Sequence, residues 1–172
     1  MTLALFKPKN HPQQIATREV VTSIDERFTP DKLYREYDSR FHFTLDVAAT
    51  AENTKTAFFY DREQDGLRQP WAPHRVWCNP PYSDLEPWLR KSHSARAGCP
   101  VIVMLLPSNR TEQPFWQQWI EPYRDRGGWL RTEFIAKRRN FGTPDNESGK
   151  HHSSPPFGLV AVIFVGDAGE QR

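Results

Sequence analysis

The stretch Val76-Trp77-Cys78-Asn79-Pro80-Pro81-Tyr82 holds the residues best suited to chemistry in this 172-residue chain. Three apolar residues running into Asn-Pro-Pro-Tyr read as a buried strand that stops at a rigid polar turn, because neither proline can donate a ladder hydrogen bond. Ser83, with Glu86 three residues on, has the pattern of a capping box that opens a helix. A strand ending in a turn before a helix puts its last residues at the carboxyl edge of an α/β sheet, where ligands bind. Two acceptors face a ligand there, the Asn79 side-chain oxygen and the Pro80 carbonyl. Such a pair matches a planar –NH2 group with its two hydrogens, and Tyr82 offers a flat face on which a base can stack. An ordinary turn is the competing reading of Asn-Pro-Pro alone. The rest of the chain decides between them.

The elements that must position this turn follow from patterning. Residues 1–24, with Lys7, Pro8, Lys9, Asn10 and Pro12, show little periodicity and read as a mobile arm, leaving 25–172 as one domain. Thr29 suits an N-cap and Pro30 the first helical position, and Leu33, Tyr37 and Phe41 then share one helix face. Alternation of Phe41, Phe43, Leu45 and Val47 predicts a strand ending at Asp46-Val47-Ala48-Ala49. A short helix over Thr50–Thr56 and a short strand over Ala57–Tyr60 come next. Asp61, Glu63 and Asp65 follow in a polar loop, either to accept hydrogen bonds from a ribose or base or as a solvated cluster. Only 33 residues separate Asp46 from Asn79 (79 − 46). A βαβ unit takes ~30 residues, so the sheet is abbreviated here, with one crossover reduced to a loop.

Beyond the central turn, Leu85, Trp88 and Leu89 make a helix face, and Val101–Leu106 is an apolar run suited to a strand buried on both sides. Pro107-Ser108-Asn109-Arg110-Thr111 ends it at the same sheet edge. Arg110 suits a phosphate or a carboxylate equally. Thr111 would cap a helix carrying Phe115, Trp116, Trp119 and Ile120. Strands over Thr132–Ala136 and Gly158–Val165 are placed to pair antiparallel. Between them runs a polar loop that begins with Lys137-Arg138-Arg139, the one place where three basic residues come consecutively.

Composition narrows the class. Hydrophobic residues are only 37%, but six Trp, eleven Phe and five Tyr give an aromatic core enough area to hold a polar chain together. A net charge of +2 permits nucleic-acid binding without arguing for it, since a local basic patch is what matters. Two cysteines, Cys78 and Cys99, make no disulfide framework, and no His or Cys cluster has metal-ligand spacing, so no metal is expected. The two cysteines are expected to be reduced and buried, in keeping with a cytoplasmic protein, and no apolar run is long enough to span a bilayer; a monomer or weak dimer that acts away from the membrane is the expectation.

Asn79-Pro80-Pro81-Tyr82 after an apolar strand resembles motif IV of the amino-methyltransferases. Asp65-Gly66-Leu67, Gln69-Pro70-Trp71 and Val76–Ser83 together are similar to the phage-type, Dam-like DNA N6-adenine methyltransferases. Leu105-Leu106-Pro107 with Arg110-Thr111 extends the likeness, as do Arg138, Phe141 and Gly142. Lys137, Arg139 and Asn140 depart from the usual run there. The resemblance covers roughly residues 27–165 and implies an abbreviated Rossmann-like α/β fold, mostly parallel, with a C-terminal β-hairpin. It implies S-adenosylmethionine as cofactor, adenine N6 in DNA as target, and Asn79, Pro80, Pro81 and Tyr82 as the catalytic turn. Thr29 and Pro30 would touch the methionine end of the cofactor, and Asp46 would pair with its ammonium group. Ala48 and Ala49, where many methyltransferases carry glycine, would lie along the cofactor, and Asp65 would serve the same site. RNA adenine, protein glutamine or a non-catalytic DNA-binding role are the alternatives.

Arg110, Lys137, Arg138 and Arg139 are the candidate DNA contacts. If two of the three consecutive basic residues touch phosphates, replacing both with Ala flattens the log–log salt dependence of DNA binding by roughly 1.8. An unaltered slope would make this loop a bystander.

Overall fold

The computed structural model describes residues 28–137 and 157–167. The expected arm over 1–24, and the basic loop from Arg138 onward, lie outside them. In chain order the elements are α1 (Asp31–Phe41), β1 (Leu45–Asp46), β2 (Phe58–Phe59), β3 (Arg75–Cys78), α2 (Glu86–Ala95), a 3-10 turn (Arg96–Gly98), β4 (Val101–Pro107), α3 (Pro114–Trp119), β5 (Leu130–Ile135) and β6 (Leu159–Val165). They build a mixed α/β structure around a six-stranded sheet in the order β2-β1-β3-β4-β6-β5. β1 pairs parallel with β2 and β3, and β3 parallel with β4. β6 runs antiparallel to both β4 and β5.

This order sets the position of the site. From β1 the chain moves outward to β2, whereas from β3 it moves the other way to β4. The carboxyl ends of neighbouring β1 and β3 therefore flank a topological switch point, where connections diverge and leave a crevice. Register aligns Leu45 with Val76 and Asp46 with Trp77, so Asp46 and Asn79 emerge at the same edge.

Burial explains the strands that carry the load. All seven residues of β4 and six of seven in β6 are buried, as the continuous apolar runs require for strands covered on both faces. Aromatic side chains supply much of the packing. Trp77 lies perpendicular to Tyr34 at 5.4 Å between ring centroids, 5.2 Å from Phe43 and 6.2 Å from Tyr37, which fixes α1 to β3. Trp71 stacks on Trp88 of α2 at 6.4 Å. Among the described residues no helix is long and apolar enough to cross a membrane.

Several boundaries differ from the sequence expectations, each for a local reason. α1 continues through Phe41, which shortens the expected strand to Leu45–Asp46; a left-handed His42 ends the helix. Pro30 occupies the N-cap of α1 without a side-chain cap, so Thr29 lies one residue outside the helix and is buried instead of capping. α2 opens at Glu86, not Ser83, and α3 at Pro114, not Thr111. Both have proline in the first turn, where its missing N–H needs no partner. No helix forms over Thr50–Thr56. The Asn53 side chain accepts the Thr50 N–H at 2.7 Å, while Thr54 and Thr56 hydroxyls donate to the carbonyls of Thr56 and Phe58. Such local bonds compete with a helical ladder. The abbreviation of the sheet goes further than expected, because neither the β1–β2 nor the β2–β3 connection contains a helix.

The β2–β3 connection is held by its own side chains. Asp61 and Gln64 exchange backbone-to-side-chain bonds of 2.9 and 3.1 Å, and the Tyr60 hydroxyl donates to the Pro70 carbonyl. The buried Trp71 indole N–H donates to the Gly66 carbonyl at 2.8 Å. A Cβ on Gly66 would overlap the Val47 carbonyl oxygen, so this loop closes onto the end of β1 only because residue 66 is glycine. Gly66→Ala is expected to lower stability by about 1–3 kcal/mol through that overlap. Urea unfolding checks this, and an unchanged midpoint would mean the loop does not pack on Val47.

Candidate active site

A small open cleft lies at the switch point, lined by Phe28, Thr29, Asp46, Ala48, Asn53, Lys55, Trp77 and Asn79. Three segments converge there: the residues before α1, the connection leaving β1, and the end of β3. Asp46 is the chemically unusual member. It is 4% exposed, and its Oδ1 accepts the Ala48 N–H at 3.3 Å. Burial pushes its carboxyl up to about 7, against the weaker opposing pull of the Ala48 and Lys55 backbone N–H groups and the Lys55 charge. Lys55 makes its ion pair elsewhere, with Nζ 2.7 Å from Asp31 Oδ1. A desolvated carboxyl in a cleft is therefore a ready acceptor for a cationic group, whose charge would hold it ionised.

At the other wall, the Tyr82 hydroxyl donates to Asn79 Oδ1 at 3.1 Å and so fixes the rotation of the amide. The Asn-Pro-Pro-Tyr turn is tied from behind by Arg110, whose Nη1 donates to the Tyr82 carbonyl at 2.8 Å. Arg110 leaves the end of β4, the neighbour of β3 in the sheet, which is why it meets this turn. The Tyr82 ring is 3% exposed and sits edge-on to Phe157 at 6.0 Å. In this structure it presents no open face to a stacking base; it holds Asn79.

Four of the sequence candidates, Thr29, Asp46, Ala48 and Asn79, share the cleft. Pro80, Pro81 and Tyr82 continue the turn from Asn79, with Pro80 buried and Pro81 half-buried. Pro30, Ala49 and Asp65 do not line the cleft. The Pro30 carbonyl accepts the first helical bond of α1, from Tyr34. The Ala49 N–H donates to Tyr60 and extends the β1–β2 pairing. Asp65, at φ 54°, accepts the Leu67 N–H and pairs with Arg68 at 3.6 Å. Lys137 is exposed just past β5, while Arg138 and Arg139 lie outside the described residues. Phe28, Asn53, Lys55 and Trp77 also line the cleft, although the sequence reading does not single them out. The position of Trp77 beside Asn79 is the one signal that could have marked it, whereas Asn53 and Lys55 sit in a segment read as helix.

The buried carboxyl predicts a pH dependence. Unfolded, Asp46 titrates near about 4; folded, it does so at about 7. In that window the native state holds a proton that the unfolded chain has released. The Asp46 contribution is thus most favourable at low pH, and stability falls as pH rises toward about 7. Between about pH 4.5 and 8, the stability difference between Asp46→Asn and wild type should move in the variant's favour by a few kcal/mol. Denaturant midpoints across that range check it, and a constant difference would mean the native carboxyl is already ionised at the low end.

Comparison with known proteins gives the family of the chain. The chain is 30% identical over 130 residues to a DNA N-6-adenine-methyltransferase of Escherichia phage T1, covering 67% of this chain and 50% of that protein. It is 36% identical over 74 residues to a DNA N-6-adenine-methyltransferase of Haemophilus phage HP1 (strain HP1c1), covering 42% of this chain and 43% of that one. The chain thus spans about half the length of the curated relatives it matches. The family model described as DNA N-6-adenine-methyltransferase (Dam) matches residues 17–165, which takes in every strand and helix described above, and the chain belongs to that family.

Proposed function

We propose that this chain transfers a methyl group from S-adenosylmethionine to N6 of adenine in DNA. The observation that carries the reading is the meeting of Asp46 and Asn79 in one cleft between the ends of β1 and β3. The strand order, with antiparallel β6 lying between β4 and β5, supports an abbreviated Rossmann-like methyltransferase sheet closed by a C-terminal hairpin. The names of the phage relatives support adenine in DNA as the target.

The residues present suit the cofactor. Asp46 is a buried acceptor for an ammonium group, and the small Ala48 beside it leaves room for close approach. When bound, S-adenosylmethionine supplies an electrophilic methyl group on a sulfonium centre. The protein's task is then to prepare the nucleophile. Adenine N6 is a poor one because its lone pair is delocalised into the ring. Accepting the two N6 hydrogens at the Asn79 amide oxygen and the Pro80 carbonyl favours a more tetrahedral nitrogen with a localised pair. The positive charge that develops there meets dipoles already in place, which need no reorganisation during reaction. The Tyr82 hydroxyl and the Arg110 bond to the turn keep those dipoles aimed. A base inside a duplex cannot reach this edge, so the adenine must leave the stack.

Incubation with labelled cofactor and DNA, RNA or protein, followed by nucleoside analysis, tests the reading. N6-methyladenine in DNA is expected, and label confined to RNA or protein would overturn it. Asn79→Ala should reduce turnover by about 100-fold or more, the loss of roughly 3 kcal/mol from one preorganised polar partner, while cofactor affinity stays within a few-fold. Near-normal turnover in that variant would remove Asn79 from the mechanism.

A further inference from the structure

The α-ammonium of S-adenosylmethionine shares a carbon with an α-carboxylate. A cleft that takes the ammonium onto buried Asp46 must therefore also receive a second negative charge a few bonds away. Left uncompensated, that carboxylate would face Asp46 as a like charge, which disfavours ionisation of both. Among the described residues that line the cleft, Lys55 is the one with a basic side chain. Resting on the function proposed above, we infer that Lys55 is the second half of an amino-acid clamp, leaving Asp31 to bind the α-carboxylate of the cofactor while Asp46 binds its α-ammonium.

The position of Lys55 fits this exchange. Its side chain is 20% exposed, whereas that of its present partner, Asp31, is 64% exposed on the first turn of α1. An ion pair with so solvated a carboxylate is weak, and water replaces Lys55 there at little cost. Arg35 also lies 4.0 Å from Asp31, so Asp31 keeps a cation beside it after Lys55 departs. The Lys55 charge already acts on Asp46, which places the two groups within electrostatic reach of one bound zwitterion. Once the ammonium ionises Asp46, Asp46 and Lys55 together are neutral, as is the amino-acid end they would hold. The clamp thus reads two opposite charges without a net charge in the cleft.

The competing role for Lys55 is structural, a tether from the β1–β2 connection to α1. Calorimetry separates them with two ligands: S-adenosylmethionine, and its decarboxylated analogue, which keeps the amine and sulfonium but lacks the carboxylate. Lys55→Met should weaken S-adenosylmethionine by about 10-fold or more, as expected for loss of a charge-assisted bond. Its affinity for the decarboxylated analogue should stay within about 2-fold of wild type. Asp31→Asn, which releases Lys55 from its ion pair, should bind S-adenosylmethionine as tightly as wild type or a few-fold more tightly. Equal weakening of both ligands by Lys55→Met, unchanged binding of S-adenosylmethionine by that variant, or weaker binding by Asp31→Asn overturns the clamp while leaving the cofactor reading intact. Binding of neither ligand by the wild-type protein overturns both.

Discussion

Keeping the Asp46 carboxyl 4% exposed is the constraint that shapes the rest of the site. Removing an ionisable group from water costs several kcal/mol unless it is neutralised or paired. The fold meets that cost by packing, since β1 is only two residues long and has little ladder of its own. Its neighbours hold it on both sides. The Val47 N–H donates to Trp77, the Tyr60 N–H donates to the Asp46 carbonyl, and the Gly66 loop closes over Val47. A strand so short could not place a buried carboxyl by itself. The loop from Asp61 to Trp71, which looks like a connector, is what fixes it.

Two supports of different kinds meet at the cleft. β4 and β6 form a fully apolar platform for β3, paired over seven residues, and so carry Asn79 on a rigid element. Rigid placement matters because electrostatic assistance depends on dipoles that do not have to reorganise. The wall bearing Asn53 and Lys55 is built differently, from turns pinned by Thr, Asn and an exposed ion pair. On the proposed reading, the acceptor for the target base sits on the stiff wall and the cofactor's amino-acid end on the adaptable one. Binding can then rearrange Lys55 without disturbing Asn79.

Long apolar elements were legible from residues alone. The run Val101–Leu106 and the strand before Asn79 appear where their patterning puts them, because burial on both faces leaves a continuous apolar signature. Short elements were not. Phe41 suits either a strand or the last turn of a helix, and the aromatic packing of α1 onto Trp77 favours the helix. Thr29 looks like a cap, but Pro30 takes that place and leaves its hydroxyl-bearing neighbour to the cleft. Asn79 and Asp46 were findable because each ends an apolar strand. Lys55 was not, since its meaning depends on Asp31, 24 positions away, and on a connection whose helix never forms. Arg110 was legible as important, but its bond to the Tyr82 carbonyl depends on the adjacency of β3 and β4, which no local pattern reveals.

The central claim is that Asp46 waits protonated for a cation and ionises when the cofactor's ammonium arrives. Proton release on binding measures this directly. S-adenosylmethionine titrated calorimetrically at about pH 6, in buffers of different ionisation enthalpy, should release roughly one proton per site, because a carboxyl of pKa about 7 is mostly protonated before binding. Asp46→Asn should release none. Binding by the wild-type protein with no proton released would contradict the account, since Asp46 would then either be ionised beforehand or take no part.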